Sequence, residues 1–463
     1  MRINDHFRYL NIGLPEDILR RKMHGDFKGA IRLIDRRLAD ESTPQALRSC
    51  LIVQREIISR VEMDYPYTKE EAITIIREHI PEFEETEFDE RLDNGRIRWI
   101  YVDGEVRIFN RFFQSMVKAD PPFAARAGVT LPGVESTVNK NVKGLIDRTI
   151  EKMKEQGSIT NRIRIRATVK VKDEMFEQGM FIRAHLPIPA ECEQQSEIVI
   201  EKVYPESGQI APIDAPQRTV CWEETMEENH EFMVEYSYLH KAVFHDTEHM
   251  GPADVIQPDF YTQEEAPHIV FTPYIKELVK TLTEGVTDPL EKARIFYDFI
   301  TLNMKYTFMP AYFGLENIAE TCARSYTGDC GVFALLFITL CRCAGIPACW
   351  QSGLTAEPDF CGGHDWARFY VAPHGWMFAD PSYGTGAVRL EKEERRKYYF
   401  GNLDPFRMVA NSEFMAPFTV DKDHWRADPC DNQIGEMETT DRGLCYEEYM
   451  RDKVVLLCEE VSI

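Results

Sequence analysis

One segment constrains the fold of this chain more than any other: the long, mostly apolar run that follows Thr327-Gly328-Asp329. The run from Val332 to Ala344 is long enough to form a buried helix. Gly345-Ile346-Pro347 comes next, and such a sequence commonly ends a helix. The pattern therefore predicts a buried helix that begins at Cys330.

A cysteine at a helix amino terminus has distinctive chemistry. The unsatisfied backbone N–H groups and the helix dipole favour the thiolate over the thiol. We therefore expect Cys330 to have a lowered pKa and to act as a nucleophile. The neighbouring Cys341, Cys343 and Cys349, on or after the same helix, are interpreted as small buried hydrophobic residues.

A β-hairpin is predicted further along the chain. The segments ARFYV and WMFAD form two strands joined by the turn Pro373-His374-Gly375. His364 near the start of the first strand and Asp380 at the end of the second would then lie opposite one another. Asp380 could hold the imidazole in one tautomer while its other nitrogen faces Cys330. The three residues are predicted to form a catalytic triad.

The order and setting of these residues resemble the transglutaminase-like superfamily. The shared pattern is GDC at a helix start, then GIPA, a glycine-rich loop into a histidine two residues before a tryptophan, and a strand ending in DP. The resemblance covers about residues 160 to 425, and its tail, YYFGNLDPFRMVANSEF, is similar to bacterial transglutaminase-like proteins described as cysteine proteases. It implies an α+β fold with a papain-like catalytic core.

Two positions depart from the family pattern. Asp365 stands where family members commonly have a small residue, and Cys349 stands where arginine is usual. Neither change removes a triad group. An acidic side chain beside His364 could raise the pKa of the imidazole or could point to solvent, and both interpretations remain open.

Three domains are predicted along the chain. Amphipathic stripes indicate an amino-terminal helical domain at 1–155, with one helix beginning near Thr68 and a hairpin turning at Asp103-Gly104. Short alternating runs indicate an antiparallel β-sandwich domain at 156–250. Residues 251–463 are predicted to form the transglutaminase-like catalytic domain with a carboxy-terminal extension.

Charge and composition exclude several classes of function. Asp and Glu outnumber Lys and Arg by 77 to 54, which gives a net charge of -23 that would repel nucleic acid. The amino terminus does not look like a secretory signal and no run is long enough to span a bilayer, so no membrane association and a cytoplasmic location are expected. Nothing in the sequence indicates an oligomeric state.

Cysteine and histidine spacing gives no reason to expect a metal or a cofactor. The twelve cysteines lack the spacing of a disulfide framework or of paired zinc knuckles. His245 and His249 stand four residues apart, but the glutamate between them is misplaced for a zinc peptidase. We therefore expect chemistry that depends on side chains alone.

The predicted chemistry is thiol-dependent acyl transfer, with a peptide or protein as substrate. The Cys330 thiolate would attack a carbonyl, and protonated His364 would donate to the leaving amine. The oxyanion would bind the backbone N–H of Cys330 and one further donor. The candidates for that donor are Tyr326, Tyr306 and Gln351; the resemblance implies a side chain upstream of the cysteine and so favours a tyrosine. Trp366 is expected as a pocket-wall residue that could shield the ion pair.

Hydrolysis of a peptide or amide bond, as in a cysteine protease, is the preferred reaction. Transglutaminase-type transfer of an amine to a glutamine carboxamide is one alternative. A non-catalytic binding or scaffold protein that retains the triad is another, because a large part of the chain lies outside the core. Peptide:N-glycanase activity ranks low, since the zinc-binding cysteine pairs of that family are absent.

Overall fold

The computed structural model describes residues 1–131 and 144–462. Its amino-terminal part is helical, as predicted, with one small hairpin. A 3-10 helix at Ile3–Ile12 precedes α1 (Glu16–Met23), α2 (Phe27–Ala39), α3 (Gln45–Asp64), α4 (Lys69–Arg77), α5 (Glu85–Asp93), β1 (Trp99–Val102), β2 (Glu105–Ile108), α6 (Phe112–Ala119), α7 (Pro121–Ala127) and α8 (Leu145–Gln156).

Local sequence signals set the bounds of these elements. α4 begins next to Thr68, as predicted, and Thr68 caps it: the Thr68 hydroxyl accepts from the Glu71 N–H, and the Glu71 carboxylate accepts from the Thr68 N–H. Asp103 and Gly104 join β1 to β2 with φ angles of 50° and 84°, which suits a two-residue hairpin turn.

Six strands and then the elements of the catalytic core follow α8. The strands are β3 (Ser158–Val171), β4 (Met180–Pro187), β5 (Gln195–Tyr204), β6 (Gln209–Ile210), β7 (Thr219–Met226) and β8 (Phe232–Val243). The remaining elements are α9 (Pro273–Leu282), α10 (Pro289–Asn303), β9 (Lys305–Tyr306), α11 (Ile318–Ser325), β10 (Thr327–Gly328), α12 (Cys330–Cys343), β11 (Ala348–Glu357), β12 (Phe360–Val371), β13 (Gly375–Ala379), α13 (Pro381–Arg389), α14 (Glu393–Tyr398), β14 (Phe400–Gly401), β15 (Arg407–Asn411), β16 (Glu436–Glu438) and β17 (Tyr449–Glu460).

Two four-stranded antiparallel sheets, in the orders β16-β4-β7-β6 and β17-β3-β8-β5, form the predicted β-sandwich. Their inner faces share one core that contains Trp222, Tyr236 and Tyr238, as expected for two sheets packed face to face. The sandwich also takes β16 and β17 from the carboxy-terminal end of the chain. Strand pairing therefore does not follow the predicted division at residue 251, because both strands pair with partners more than 200 residues away in sequence.

A mixed helix and sheet layer forms the core around Cys330. The five-stranded sheet has the order β14-β13-β12-β11-β15, and α12 packs on β11 and β12. The α12 residues from Gly331 to Arg342 are all buried, which explains why this helix is apolar on every side. The fold is thus α+β, as predicted, and the start of α12 lies beside the central sheet.

Gly353 lies where the β11–β15 ladder shifts its register, between Ser352 and Gly353. A Cβ atom at Gly353 would overlap the carbonyl oxygen of Met408. We expect Gly353→Ala to lower the free energy of unfolding by about 1–3 kcal/mol, measured by urea denaturation. Gly386→Ala is the matched control, because a Cβ there meets no atom within 4 Å. Equal midpoints for the two variants would contradict the expected clash.

Candidate active site

Cys330 is the first residue of α12, as the sequence predicted. The preceding Asp329 caps the helix by accepting from the Val332 N–H at 3.3 Å. The apolar residues after Val332 anchor the helix in the core, while the Cys330 side chain is only partly buried. The helix therefore presents the thiol at the edge of the core.

His364 and Asp380 form the buried pair that the hairpin was predicted to create. β12 pairs antiparallel with β13, and the register aligns Ala367 with Ala379. Asp380 follows directly, and its Oδ2 lies 2.7 Å from His364 Nε2. The Asp380 Oδ1 atom accepts from the Tyr383 N–H at 2.9 Å and so also caps α13. The carboxylate is held on both sides.

Arg407 on β15 supports this pair from behind. Its guanidinium lies 3.0 Å from Asp380 Oδ2 and 2.5 Å from Asp404 Oδ2, and all three side chains are buried. Burial by itself would raise the pKa of Asp380, but the charges of His364 and Arg407 bring that pKa below its ordinary value. Burial also lowers the pKa of His364, although Asp380 opposes that shift. His364 is therefore a neutral imidazole beside the ionised carboxylate of Asp380.

The Cys330 thiol donates to Asp365 Oδ2 at 3.2 Å. Asp365 alternates with His364 along β12, so it shares a strand face with Ala367 and Phe369, which pack in the same core as α12. It is only 2% exposed and also accepts from the Gln433 amide. The interpretation that this carboxylate points to solvent is therefore wrong.

Burial, with the negative charges of Asp365 and Asp329, raises the pKa of the Cys330 thiol well above its ordinary value. The expectation that the helix amino terminus lowers this pKa is therefore wrong for this arrangement. Burial is the main reason, because it disfavours the charged thiolate, and the carboxylates of Asp365 and Asp329 add to this effect where the helix dipole would otherwise stabilise a thiolate. Within the described residues, the thiol has no hydrogen bond to His364.

Further carboxylates surround Asp365. Asp431 raises the pKa of Asp365, as does burial, which is the larger cause. Burial and Asp431 also raise the pKa of Asp428 to about 8. The Gln433 amide donates to both Asp365 and Asp431. The thiol thus faces a group of buried carboxyls that are easily protonated.

Replacing Asp365 with Asn is expected to lower the pKa of the Cys330 thiol, because it removes the carboxyl oxygen that accepts from the thiol and stabilises its protonated form. The rate of iodoacetamide modification near neutral pH should then rise, by about tenfold for each unit by which the pKa falls. The measurement is the pH profile of alkylation at Cys330, read by mass spectrometry. Asp359→Asn in the exposed β11–β12 turn is the control. A slower reaction in Asp365→Asn would mean that Asp365 promotes thiolate formation.

A cavity of about 750 Å³ joins these groups. Cys330, His364 and Asp365 all line it, together with Arg111 and Lys118 from the amino-terminal region. The helices before the β-sandwich therefore help to build the wall of the site.

The structure distinguishes between the candidates for a second oxyanion donor. Tyr306 lines the cavity, and the Lys118 Nζ atom lies 3.9 Å from the centre of its ring. Tyr326 is 41% exposed, packs edge-on against Phe299 and does not line the cavity. Tyr306 is therefore the best placed of the predicted donors.

Gln351 and Trp366 lie behind the histidine. The Gln351 Oε1 atom accepts from Trp366 Nε1 at 2.7 Å and from Gln194 Nε2 at 2.6 Å. Both side chains are fully buried and are absent from the cavity lining. The Trp366 ring centre lies 6.1 Å from that of His364, so it packs beside the ion pair and covers it from inside the protein.

No sequence pattern pointed to Tyr312, which lies in a 3-10 turn (Tyr312–Gly314) and packs against the start of α12. Its hydroxyl donates to Asp329, and a Cβ at Gly331 would overlap it. Asp365, in contrast, could have been found from strand periodicity, because it lies two and four residues before Ala367 and Phe369 and so points to the same buried face of the strand.

Among residues 1–131 and 144–462, no group of His, Cys, Asp and Glu could hold a metal ion, and no helix is long and apolar enough to cross a membrane.

Comparison with known proteins agrees with this geometry. A cysteine at a helix start beside a sheet that carries a His-Asp pair defines a papain-like arrangement. Residues 276–381, from α9 to the first residue of α13, match the family model of the transglutaminase-like superfamily. The resemblance seen in the sequence is confirmed for this core, and the match supports a thiol-dependent class of enzyme.

Six chains of solved structures also match. One is described as "a Putative Cysteine Protease" from Cytophaga hutchinsonii; it has 15% identity and a TM-score of 0.44, and the match covers 66% of this chain and 92% of that one. Another is the periplasmic domain of TgpA from Pseudomonas aeruginosa; it has 12% identity and a TM-score of 0.27, and the match covers 56% of this chain and 100% of that one. A search of curated proteins finds no match.

Proposed function

We propose that this chain hydrolyses a peptide or amide bond through a thioester formed on Cys330. The observation that carries the proposal is the 2.7 Å contact between His364 Nε2 and Asp380 Oδ2, at the wall of the cavity that Cys330 also lines. A structural cysteine would need neither partner, whereas nucleophilic catalysis needs a base and a group that orients the base.

In the proposed reaction, the thiol proton passes to His364 Nδ1, because Nε2 is engaged by Asp380. The sulfur attacks the carbonyl carbon, and the backbone N–H of Cys330 with the Tyr306 hydroxyl receives the oxyanion. Imidazolium then donates its proton to the leaving amine, and water releases the acid from the thioester. The thiol must first leave Asp365, so substrate entry or protonation of that carboxyl precedes attack.

The test uses the full chain and a mixture of peptides, some containing glutamine, with and without a primary amine. Mass spectrometry should detect chain scission with water as acceptor, and a peptide bound to Cys330 as a thioester after an acid quench. Amine incorporation with loss of ammonia would instead favour transfer. Cys330→Ala should abolish either product, and Cys341→Ala, which alters a buried thiol of the same helix, is the matched control.

Absence of both products and of the thioester, with Cys330 no more reactive toward iodoacetamide than other accessible thiols, would favour the non-catalytic binding protein. The Cys330–Asp365 hydrogen bond is the observation that keeps this second candidate in view. The cytoplasmic location and the peptide substrate stay predictions.

A further inference from the structure

Two cationic side chains, one at the start of α6 and one near its end, line the cavity. Arg111 immediately precedes this helix and Lys118 lies seven residues later, which is two helical turns and therefore the same side. Both residues line the cavity that contains Cys330. Their position is notable in a chain with a net charge of -23, in which most surfaces would repel an anion.

Aromatic rings, and not carboxylates, hold these two cations in place. The Lys118 Nζ atom lies 3.9 Å from the centre of the Tyr306 ring, and the Arg111 Cζ atom lies 3.6 Å from that of Phe308. Such cation–π contacts fix a side chain without neutralising its charge. In the part of the chain that the structure describes, neither cation has a carboxylate oxygen within 4.0 Å.

Arg451 on β17 adds a third cation to the same cavity. Its guanidinium lies over the ring of Tyr446, with the Cζ atom 4.6 Å from the ring centre. Its buried Nη1 atom has no hydrogen-bond partner among the described residues. Burial lowers the pKa of Arg111, and the charge of Arg451 contributes to the same shift. Like charges therefore lie close together here. The charge of Asp329 acts on Arg111, but no carboxylate oxygen of the described residues lies within 4.0 Å of Arg111, Lys118 or Arg451.

Two of the carboxylates that line the cavity already have hydrogen-bond donors. Asp365 accepts from the Cys330 thiol and from Gln433, and Asp329 accepts from Tyr312 and from the Val332 N–H. A buried cation without a partner is costly, and the buried guanidinium of Arg407 shows the alternative, because it forms ion pairs with Asp380 and Asp404. The open charge in the cavity is therefore complementary to an anion that comes from outside the chain.

We propose that Arg111, Lys118 and Arg451 form an anion subsite that binds a carboxylate of the acyl substrate beside the thiol of Cys330. The proposal rests on the proposed function and adds a substrate class to it: acidic peptides or amides, with the carboxylate from a Glu or Asp side chain or from a free carboxy terminus. Guanidinium groups can bind a carboxylate through two parallel hydrogen bonds, which would position the scissile carbonyl.

The first test compares two alkylating reagents that differ in charge. In each reaction the Cys330 sulfur forms a bond to the reagent's methylene carbon, iodide leaves and the thiol proton goes to solvent. The ratio of the iodoacetate rate to the iodoacetamide rate, normalised to N-acetylcysteine amide, should exceed one in the wild type by about tenfold. Because both reagents report on one thiol, its intrinsic reactivity cancels from the ratio.

Variants assign this preference to the subsite. Lys118→Met and Arg111→Gln should each bring the ratio toward one, and Lys118→Arg should retain it. Lys280→Met on α9, an exposed residue outside the cavity lining, should not change it. Glutarate, an unreactive dicarboxylate, should protect Cys330 from iodoacetamide in the wild type but not in Lys118→Met, which provides a reading that does not depend on iodoacetate.

A wild-type ratio at or below one, or a preference that survives in both Lys118→Met and Arg111→Gln, would overturn the proposal. Peptide pairs then identify the source of the carboxylate. One pair differs in Glu against Gln, and the other in a free against an amidated carboxy terminus. Lys118→Met should raise the KM of the peptide whose carboxylate the subsite binds and leave that of its partner unchanged. If no peptide is cleaved while iodoacetate is still preferred, the proposed function fails and the subsite stands. If a peptide is cleaved but iodoacetate is not preferred, the proposed function stands and only the subsite proposal fails.

Discussion

Asp380→Asn is expected to reduce kcat for amide hydrolysis by about 10⁴-fold with little change in KM. The Asp380 carboxylate accepts from His364 Nε2, so the proton on the histidine is held there and Nδ1 is free to act as a base. An asparagine amide can donate to Nε2 and would stabilise the opposite tautomer, in which Nδ1 is protonated. Such an imidazole cannot take the proton of the thiol.

Steady-state kinetics on the peptide found by mass spectrometry would measure this effect, with iodoacetamide modification of Cys330 as a second reading. Asp359→Asn, in the exposed turn between β11 and β12, controls for the general effect of removing one negative charge. A decrease in kcat of less than about tenfold would mean that Asp380 serves mainly to cap α13 and to pair with Arg407.

Arg407→Met is expected to lower the free energy of unfolding by about 3–5 kcal/mol. The substitution leaves Asp380 and Asp404 as neighbouring buried carboxylates without their shared cation. Urea denaturation would measure the loss. Arg37→Met is the matched control, because Arg37 and Asp17 form an exposed ion pair, and such pairs contribute at most about 1 kcal/mol.

The pH dependence of this loss has a definite sign. Arg407 lowers the pKa of Asp380 and of Asp404, against the opposing and larger effect of burial. The stabilisation by the pairs is therefore present above the pKa of an unfolded aspartate, about 4, and is lost as the pH falls through the lower pKa of the folded state. The difference between wild type and Arg407→Met should shrink in acid. A constant difference would assign the effect to packing.

Local patterns predicted the parts of the site that depend on neighbours in sequence. The start of α12 at Cys330 follows from an apolar run with a capping aspartate and a terminating Gly-Ile-Pro. The approach of His364 to Asp380 follows from a short hairpin, whose pairing is fixed by its turn. In both cases the position of the residue depends on neighbours only a few positions away in the chain, so the sequence alone was sufficient to predict it.

The rest of the site depends on contacts between distant segments. Lys118 and Arg111 reach the cavity because α6 packs beside β9, and no periodicity reveals such packing. Arg407 lies in the segment YYFGNLDPFRMVANSEF that resembles bacterial transglutaminase-like proteins, but nothing in that pattern indicates that it pairs with Asp380 from β15. Asp365 is different: it alternates along β12 with the same spacing as Ala367 and Phe369, which would have assigned it to the face of the α12 core, but its orientation was left open on the sequence alone.

The pairing of β17 with β3 has a consequence for biosynthesis. Eleven residues of β17 align with residues of β3, and on the ribosome β3 emerges nearly 300 residues before them. Until β17 is released, one side of β3 has unpaired backbone donors and acceptors that another chain could join. Nascent chains shortened before residue 449 should therefore self-associate, and chaperones would be needed mainly while the catalytic core is being translated.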